Sequence, residues 1–402
     1  MYITECRVCQ SPQLELAIDF GEQPWGSQFL LKDRLGTEET FPLQVLHCQS
    51  CGTAQLSYTV PKETMFSNHP YYSSDTEARR KHFERVAASV MWVYDVEHPR
   101  VLDIGSNDGE QLRAYVKLGA EVQGVESSLW QVCDAESTGV PTKHAFFDHK
   151  VAEGLGQFDI INASGLLSCA SDTHSVLGGI RHCLKPDGIV VVQFVYARSM
   201  MRRLAWDQIN HENLLYFNCT TLDRLLRAHG LCITHAVRSD IDGGSVVALI
   251  KNSDGFGIED CPELLWQEAP LHANELFKWQ RFGEDARADI KEDREYLSVL
   301  SGQGRVIYGL GASAKSSARL NGLQLPDGTI SCVTTDNDLI AGKYTPGSHL
   351  PIVDESGVET PDYCYCLEWD RADEILKKAG GARNGKWGKA GRTKYVIPGV
   401  ER

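Results

Sequence analysis

The stretch VLDIGSNDGE (residues 101–110) has the pattern of a buried strand that ends in a glycine-containing turn. Gly105 and Gly109 allow the backbone to turn sharply and to approach a ligand closely where a helix begins. From here to residue 195, apolar strand patterns alternate with amphipathic helix patterns. That alternation is typical of a doubly wound parallel sheet whose first strand lies near the centre. The sequence therefore predicts an α/β fold with a ligand-binding turn at residues 105–109.

The residues around this turn favour S-adenosylmethionine (SAM) over a ligand with phosphates. The next strand pattern ends in GVESS at Glu126, where an acidic side chain suits the two hydroxyls of a ribose. The turn does not spell G-x-G-x-x-G, it carries no lysine or arginine, and its carboxylates would repel a pyrophosphate. Such acidic groups suit the sulfonium and amino groups of SAM. A nucleotide-free domain is the alternative. The predicted cofactor-binding residues are Asp103, Gly105, Asn107, Asp108, Gly109 and Glu126.

Two C-x-x-C pairs near the N-terminus predict a metal site. Cys6 and Cys9 form one pair, Cys48 and Cys51 form the other, and Gly52 suits a tight turn after the second. Four thiolates close a tetrahedron around Zn²⁺ and leave no open coordination position, so we expect a structural zinc. The segment between the pairs is too short and turn-rich for a robust core, which favours a metal staple. A redox pair is the alternative.

Composition excludes several classes of function. The chain has 402 residues, 42% of them hydrophobic and 23% charged, and a formal net charge of −14. This charge argues against binding to bulk nucleic acid or to an anionic membrane. We find no signal-peptide pattern and no run approaching the roughly 20 apolar residues of a membrane helix. The 13 cysteines are an odd number and mostly scattered in apolar runs. We therefore expect a cytoplasmic enzyme without disulfides.

The chain divides into three predicted domains. Residues 1–65 contain the cysteine pairs and residues 66–285 the sheet with the glycine turn. A polar, helix-rich connector then leads to GRVIYGLGASAKSSARLNGL, which begins a second, smaller strand-turn-helix unit. We accordingly predict a zinc module at 1–65, a SAM-binding domain at 66–285 and a Rossmann-like domain at 286–402.

Several motifs in order along the chain carry a resemblance to a known family. They are VLDIGSNDG, GVESS, LKPDGIVVVQ, the two cysteine pairs, HPYYSSDTEARRKHF, IDGGSVV, YGLGASAKSSARLN and YTPGSHLPI. The chain resembles, over essentially its whole length, the zinc-containing sugar C-methyltransferases of deoxysugar biosynthesis. The resemblance implies a class I methyltransferase that uses SAM to methylate C3 of a 4-keto sugar linked to thymidine diphosphate.

The chain departs from the family's pattern where a proton is handled. Methylation next to a ketone needs a base and a group that stabilises the enolate. The resemblance places these groups in a Tyr-His-Glu-His run and in a histidine after the fourth strand. At these positions the chain has Asn210 in place of the tyrosine and Asn213 in place of the second histidine, whereas His211 and Glu212 match the family's run. Cys169 takes the place of the histidine after the fourth strand. Asparagine does not abstract a proton near neutral pH.

Other family positions are retained. Tyr71 or Tyr72 matches the tyrosine that faces the sugar, and Lys315 matches the lysine of the C-terminal loop. We predict Glu212 as the group that handles the proton, with His211 nearby and a tyrosine orienting the acceptor. A carboxylate suffices only for an already acidic proton unless burial raises its pKa. Each of these residues also has a non-functional interpretation. Residues 211 and 212 would then be a polar pair in a turn, residues 71 and 72 a packed aromatic pair, and Lys315 a surface lysine.

Three functions are compatible with this pattern. The first is a SAM-dependent C-methyltransferase with an altered proton-transfer site and a small-molecule acceptor, of which a nucleotide-diphosphate sugar is one class. Asn210, Asn213, Cys169 and Lys315 would then contact the acceptor. The second is a SAM-binding homologue that catalyses a cyclisation or elimination. The third is a catalytically idle binding subunit, against which the retained glycine turn and zinc cysteines count.

Overall fold

The structure, a computed structural model, describes residues 1–254, 263–355, 358–372 and 393–398. The strands in this part of the chain are β1 (Leu14–Pro24), β2 (Thr40–Cys48), β3 (Ala54–Leu56), β4 (Arg100–Ile104), β5 (Glu121–Glu126), β6 (Thr142–His144), β7 (Phe158–Ser164), β8 (Leu184–Val195), β9 (Leu215–Tyr216), β10 (Leu231–Ser239), β11 (Ser245–Asn252), β12 (Ile307–Leu310), β13 (Cys332–Thr335), β14 (Ile352–Asp354), β15 (Tyr363–Cys366) and β16 (Lys394–Val396). The α-helices are α1 (Lys62–Phe66), α2 (Glu77–Tyr94), α3 (Glu110–Val116), α4 (Leu129–Ser137), α5 (His149–Ala152), α6 (Leu166–Cys169), α7 (Thr173–Cys183), α8 (Ala197–Arg203), α9 (Cys219–Arg227), α10 (Glu263–Trp266), α11 (Leu276–Gly302) and α12 (Ala314–Leu323).

The central sheet has seven strands in the order β10-β11-β8-β7-β4-β5-β6. The five strands from β8 to β6 pair in parallel, whereas β11 is antiparallel to both β8 and β10. The central strands read as apolar runs because helices cover both faces of such a sheet. The predicted doubly wound fold is confirmed, and β4, which leads into the glycine turn, lies near its centre.

The N-terminal sheet includes a strand from the middle of the chain. Its antiparallel order is β1-β2-β3-β9, and Ala54 in β3 pairs with Tyr216 in β9. Because β9 directly follows the segment at residues 210–214, the N-terminal sheet lies against the residues that the sequence singled out for proton transfer.

The C-terminal unit is a parallel five-stranded sheet in the order β14-β13-β12-β15-β16, as expected for a Rossmann-like domain. Helix α11 joins it to the rest: Trp279 and Phe282 pack with the N-terminal sheet, whereas Leu297 and Leu300 pack in the C-terminal core. The predicted boundary at 285/286 therefore falls inside one continuous helix, and the three domain ranges stay predictions.

A buried arginine fastens the C-terminal unit to the central domain. Arg319 in α12 is 1% exposed, and its guanidinium lies 4.5 Å from the centroid of the Trp206 ring. Its Nε donates to Asp207 Oδ2 at 2.8 Å, and its Nη1 lies 3.5 Å and 3.4 Å from the carboxylates of Asp289 and Asp293. One buried cation thus joins three carboxylates, one from the segment at residues 206–208 and two from helix α11.

Two further expectations concern the whole chain. Within the described ranges, no helix is both long and apolar enough to cross a membrane. The twelve cysteines in the same ranges are not joined by disulfides.

Candidate active site

The four N-terminal cysteines come together as a closed metal site. Their sulfur atoms all lie within 4.8 Å of one another, and the Cys6–Cys51 and Cys9–Cys48 sulfur pairs are each 3.6 Å apart. A tetrahedral zinc with Zn–S bonds of about 2.3 Å needs sulfur pairs about 3.8 Å apart, so the cluster fits the ion. Gly52 has φ +75° and forms the predicted tight turn.

The surroundings of the cluster support a structural role. The backbone N–H of Val8 and the side chain of Gln55 point at the Cys6 sulfur, at 3.4 Å and 3.1 Å. His47, the possible competing ligand, is occupied elsewhere because its Nε2 contacts the Asn274 carbonyl at 2.9 Å. Four thiolates and no further ligand position leave the metal no site for chemistry.

A large cavity lies between the central domain and its two neighbours. Its volume is about 940 Å³, at the upper end of the range for small-molecule sites, so two co-substrates fit together. One end is lined by the glycine turn, and the other by residues of the zinc module, of the segment at 208–213 and of the C-terminal unit. We call these the cofactor end and the acceptor end.

Glu126 organises the cofactor end. Its Oε1 accepts the N–H groups of Ser127 and Ser128 at 2.7 Å and 2.8 Å, and its Oε2 accepts the N–H of Asn107 at 2.9 Å. The five backbone N–H groups of residues 105–109 all have partners within the protein. A phosphate would therefore find no unoccupied amide in this turn, which agrees with the preference for SAM drawn from the sequence.

Several buried polar atoms at the cofactor end point to a bound ligand. Ser106, Gln111, Ser128 and Gln131 line the cavity, and each has a buried polar atom without a hydrogen-bond partner in the protein: Oγ, Nε2, Oγ and Oε1, respectively. Such atoms cost free energy unless a ligand or water meets them. Donors and acceptors arranged around a ribose-binding carboxylate fit the polar groups of SAM.

The predicted cofactor residues divide into two groups. Asp103, Gly105, Asn107 and Glu126 line the cavity. Burial, and then the charge of Glu126, raises the pKa of Asp103 well above its usual value. Asp108 and Gly109 are buried and do not line the cavity, so the geometry limits them to shaping the turn. A Cβ on Gly109 would lie 3.1 Å from Val140, at φ +78°.

At the acceptor end, Glu212 is held by three donors. Its Oε1 accepts from Ser27 Oγ at 2.6 Å, from Trp25 Nε1 at 2.8 Å and from His69 Nε2 at 3.0 Å. Burial raises the pKa of Glu212, but the charge of His69 and these hydrogen bonds outweigh it and lower the pKa to about 2. Its carboxylate is therefore a weak base, so the restriction to an already acidic proton, drawn from the sequence, applies to it.

The three altered family positions carry no base. The Nδ2 atoms of Asn210 and Asn213 donate to the Gln208 carbonyl at 3.3 Å and 3.1 Å, which fixes both amides in one tight loop. Cys169 lies with its sulfur 3.9 Å from Asn213 Oδ1. Burial and then the charge of Glu212 raise the pKa of Cys169 to about 12, so it remains a neutral thiol. All three line the cavity.

His211 does not join the site. Its side chain is buried against the N-terminal sheet, where Nε2 contacts the Phe41 carbonyl at 3.3 Å, and it does not line the main cavity. Burial lowers its pKa to about 4, so the ring is neutral. The structure thus separates it from Glu212, because adjacent residues of the loop point to opposite sides.

The remaining predicted residues reach the acceptor end. The Tyr71 ring lies 4.9 Å from the Arg79 guanidinium, and Arg79 in turn bonds Asp242 at 2.6 Å. Tyr72 also lines the cavity, and burial raises the pKa of both phenols to about 12. Lys315 enters from the C-terminal unit and pairs with Asp370. It lines the cavity rather than lying on the surface.

Sequence reasoning missed several residues of the site. His69, Trp25 and Ser27 surround Glu212, while Phe146 lines the cofactor end. Of these, only His69 had a local indication, because it lies two residues before Tyr71 in a segment already singled out. The zinc-module residues lie more than 180 positions from Glu212 and belong to no motif.

The similarities to known proteins follow the order of the three structural units along the chain. Three family models match in succession: "Putative zinc binding domain" at residues 6–66, "Methyltransferase domain" at 76–236 and "C-methyltransferase C-terminal domain" at 240–397. C-methyltransferase NovU of Streptomyces niveus is 29% identical over 387 residues, which cover 93% of this chain and 91% of the relative. These matches identify the chain as a SAM-dependent methyltransferase with an N-terminal zinc-binding domain and a C-methyltransferase C-terminal domain.

More distant similarities cover parts of the chain. Ubiquinone biosynthesis O-methyltransferase of Rhodopseudomonas palustris is 28% identical over 120 residues, which cover 29% of this chain and 46% of the relative. Among solved structures, magnesium protoporphyrin IX methyltransferase of Synechocystis PCC 6803 with bound SAH is 13% identical. It covers 43% of this chain and 84% of its own, with a TM-score of 0.35. The PH0226 protein of Pyrococcus horikoshii OT3 is 17% identical, covers 47% and 97%, and has a TM-score of 0.36.

Proposed function

We propose that this chain is a cytoplasmic enzyme that transfers the methyl group of SAM to a carbon atom of a small-molecule acceptor. The observation that carries the proposal is the continuous cavity, whose cofactor end and acceptor end face one space of about 940 Å³. A second substrate can therefore lie beside the cofactor, as direct transfer requires. A nucleotide-linked 4-keto sugar is the acceptor class to test first, because the chain resembles sugar C-methyltransferases.

Four residues would hold SAM at the cofactor end. Glu126 is placed for the ribose hydroxyls, Asp103 and Asn107 for polar groups nearby, and the Phe146 ring offers an apolar wall for the purine. SAM supplies an electrophilic methyl group. The chain's own residues bind and orient the acceptor, exclude water and handle the acceptor's proton.

The residues at the acceptor end favour a proton-transfer site that differs from the Tyr-His-Glu-His arrangement of the family. Asn210, Asn213 and Cys169 do not ionise near neutral pH, whereas Glu212 is ionised and fixed. The amides and the Tyr71 and Tyr72 phenols can orient an acceptor by hydrogen bonds. The reaction accordingly suits a carbon whose proton is already acidic, such as one next to a carbonyl or between two.

Charges at the acceptor end bear on whether the acceptor carries a diphosphate. Three cationic side chains that line the cavity have a carboxylate partner, in the pairs Arg79–Asp242, Lys315–Asp370 and Arg371–Glu368. A diphosphate has to compete with these carboxylates, whereas an acceptor without phosphates leaves the pairs intact. Acceptors with and without the nucleotide are therefore both needed in the test.

The test is an incubation of the full chain with SAM labelled with ¹³C in its methyl group. The acceptors are a thymidine-diphosphate 4-keto-6-deoxy sugar, the same sugar without the nucleotide, and a cyclic β-dicarbonyl compound. We expect equal amounts of S-adenosylhomocysteine and of a product whose label is bonded to carbon, detected by mass spectrometry and ¹³C NMR. A chain that binds SAM and converts an acceptor without forming S-adenosylhomocysteine would instead be a non-methylating homologue.

A further inference from the structure

We propose that His69 is the base that removes the acceptor's proton and that Glu212 is the positioning residue that orients its imidazole. This inference rests on the proposed function, since it requires an acceptor whose carbon loses a proton. In the described part of the chain, His69 is the histidine that lines the cavity. It belongs to the segment before α2 and to none of the three altered positions.

The backbone of His69 is attached to the cofactor end. Gln131 Nε2 donates to the His69 carbonyl at 2.7 Å, and Asn107 Nδ2 donates to the Tyr71 carbonyl at 3.0 Å. Asn107 is itself bonded through its N–H to Glu126. The segment is therefore fixed to the residues around SAM, while the His69 side chain reaches across to Glu212. This places the imidazole at the junction of the two ends, where donor and acceptor meet.

The two ring nitrogens of His69 have different partners, which decides the tautomer. Nδ1 lies 3.3 Å from the backbone N–H of Tyr71, which can only donate, so Nδ1 carries a lone pair. Nε2 then carries the proton and donates to Glu212 at 3.0 Å. A carboxylate that fixes one ring nitrogen as donor leaves the other as the basic atom, the arrangement of a catalytic histidine. The contact to Tyr71 is long for a hydrogen bond, so little is lost when another partner replaces it.

The charge of Glu212 supports the imidazolium that this step forms. Burial disfavours a charge on His69, but the Glu212 carboxylate outweighs burial, with a contribution from Glu126, and raises the pKa of His69 above 6.5. Trp25 and Ser27 keep that carboxylate ionised and in place. The rings of Trp25, Phe66 and Tyr71 surround the imidazole, with centroids 5.9–6.3 Å away.

The proposed step balances without a further reactant. The acceptor's C–H bond breaks, its proton moves to Nδ1 of His69, and the carbon keeps the electron pair. With SAM bound, that pair would form the new bond to its methyl carbon while the sulfur–methyl bond breaks and leaves its electron pair on the sulfur of S-adenosylhomocysteine. The imidazolium gives its proton to water after the product leaves, which restores the neutral ring.

The first experiment needs no acceptor. We would record ¹⁵N spectra of the full chain labelled in its histidine rings, with His69→Gln to assign the signals and with pH varied. We expect the proton on Nε2, a lone pair on Nδ1 and a pKa above 6.5 that falls by about one unit or more in Glu212→Gln. A proton on Nδ1, or a pKa that Glu212→Gln leaves unchanged, would overturn the proposal.

The second experiment measures turnover with the thymidine-diphosphate 4-keto sugar and the β-dicarbonyl compound as probes. His69→Gln keeps an N–H donor for Glu212 but has no basic nitrogen, so kcat should fall by about 10²–10⁴-fold with SAM affinity unchanged. Added imidazole should restore part of the turnover in His69→Gly. His235→Gln, an exposed histidine on β10, is the matched control and should behave as the unaltered chain. Turnover within about threefold of normal in His69→Gln would overturn the proposal.

The two experiments separate this inference from the proposed function. If the unaltered chain converts neither probe, the proposed acceptor classes are wrong, and the ring measurement decides the His69–Glu212 assignment by itself. If the chain methylates a probe but His69→Gln does so equally well, the proposed function stands and His69 is only a structural residue.

Discussion

The cofactor end and the acceptor end of the cavity are built in different ways. The cofactor end comes mainly from one continuous stretch of the chain, from β4 to β5 and the residues just after it. There Glu126 accepts the backbone N–H groups of the adjacent Ser127 and Ser128 and of Asn107 in the glycine turn. The acceptor end combines Ser27 of the zinc module, His69, Glu212 and Lys315 of the C-terminal unit, which are far apart in the chain.

This difference has a physical consequence. A site made within one unit depends on the packing of that unit, whereas a site made between units depends on everything that fixes the units together. We therefore expect distant changes, at the zinc or at Arg319, to affect the acceptor end more than the cofactor end. The following predictions test this difference in order of expected effect.

Removal of zinc should separate the two ends most strongly. Zinc sites of this kind contribute about 10–16 kcal/mol of apparent binding free energy, so Cys48→Ser should unfold the zinc module. Trp25 and Ser27 would then leave Glu212, and turnover should fall far more than SAM affinity. Zinc content, turnover and calorimetric SAM binding measure this, with exposed Cys133→Ser as the control. Equal losses of turnover and SAM affinity would contradict the comparison.

Replacement of Arg319 should loosen the C-terminal unit. Arg319→Met leaves the carboxylates of Asp207, Asp289 and Asp293 without their cation, and a broken buried pair typically costs about 3–5 kcal/mol. Urea unfolding measures the free energy of unfolding. Arg281→Met removes exposed ion pairs and should cost under about 1 kcal/mol. Similar losses in both variants would mean that the buried cluster does not fasten the unit.

Glu212→Gln should affect only the acceptor end. The change keeps the shape of the side chain but removes its charge, so turnover should fall by about 10²-fold or more, whereas SAM affinity should not change. Steady-state kinetics and calorimetry measure the two quantities. Normal turnover would show that Glu212 is structural.

Glu212 should also make stability depend on pH. Its pKa is lowered in the folded chain from 4.5 to about 2, so the folded state favours the ionised form. The stabilising contribution is therefore fully present above about pH 4.5 and is lost as pH falls toward 2. Urea unfolding between pH 6 and pH 3 should show a smaller loss of stability in Glu212→Gln than in the unaltered chain. Parallel curves would contradict the lowered pKa.

Glu126→Ala is the corresponding change at the cofactor end. A charged hydrogen bond is typically worth about 1.5–3 kcal/mol, so calorimetry should show SAM affinity reduced at least tenfold. Glu121→Ala, at the exposed start of the same strand, is the control. Unchanged affinity in Glu126→Ala would mean that another residue binds the ribose.

Local features of the sequence were sufficient for the zinc cysteines, the glycine turn and the fold class. The spacing within each C-x-x-C pair is enough to identify two metal ligands. The turn at Gly105 lies within one strand-turn-helix unit, whose apolar periodicity is visible in the sequence. Fold class and metal ligands follow from such patterns because the interacting residues are neighbours in the chain or belong to repeating elements.

Only the tertiary structure decided which ionisable groups meet at the acceptor end. The sequence predicted that His211 acts beside Glu212, but the loop directs their side chains to opposite sides. Asp108 and Gly109, predicted to contact the cofactor, belong to the turn but do not line the cavity. Sequence also could not show that Glu212 meets His69, Trp25 and Ser27, and therefore left the direction of its pKa shift open. The physical reason is that a pKa depends on the burial and charges around a group, and those come from segments that the fold alone brings together.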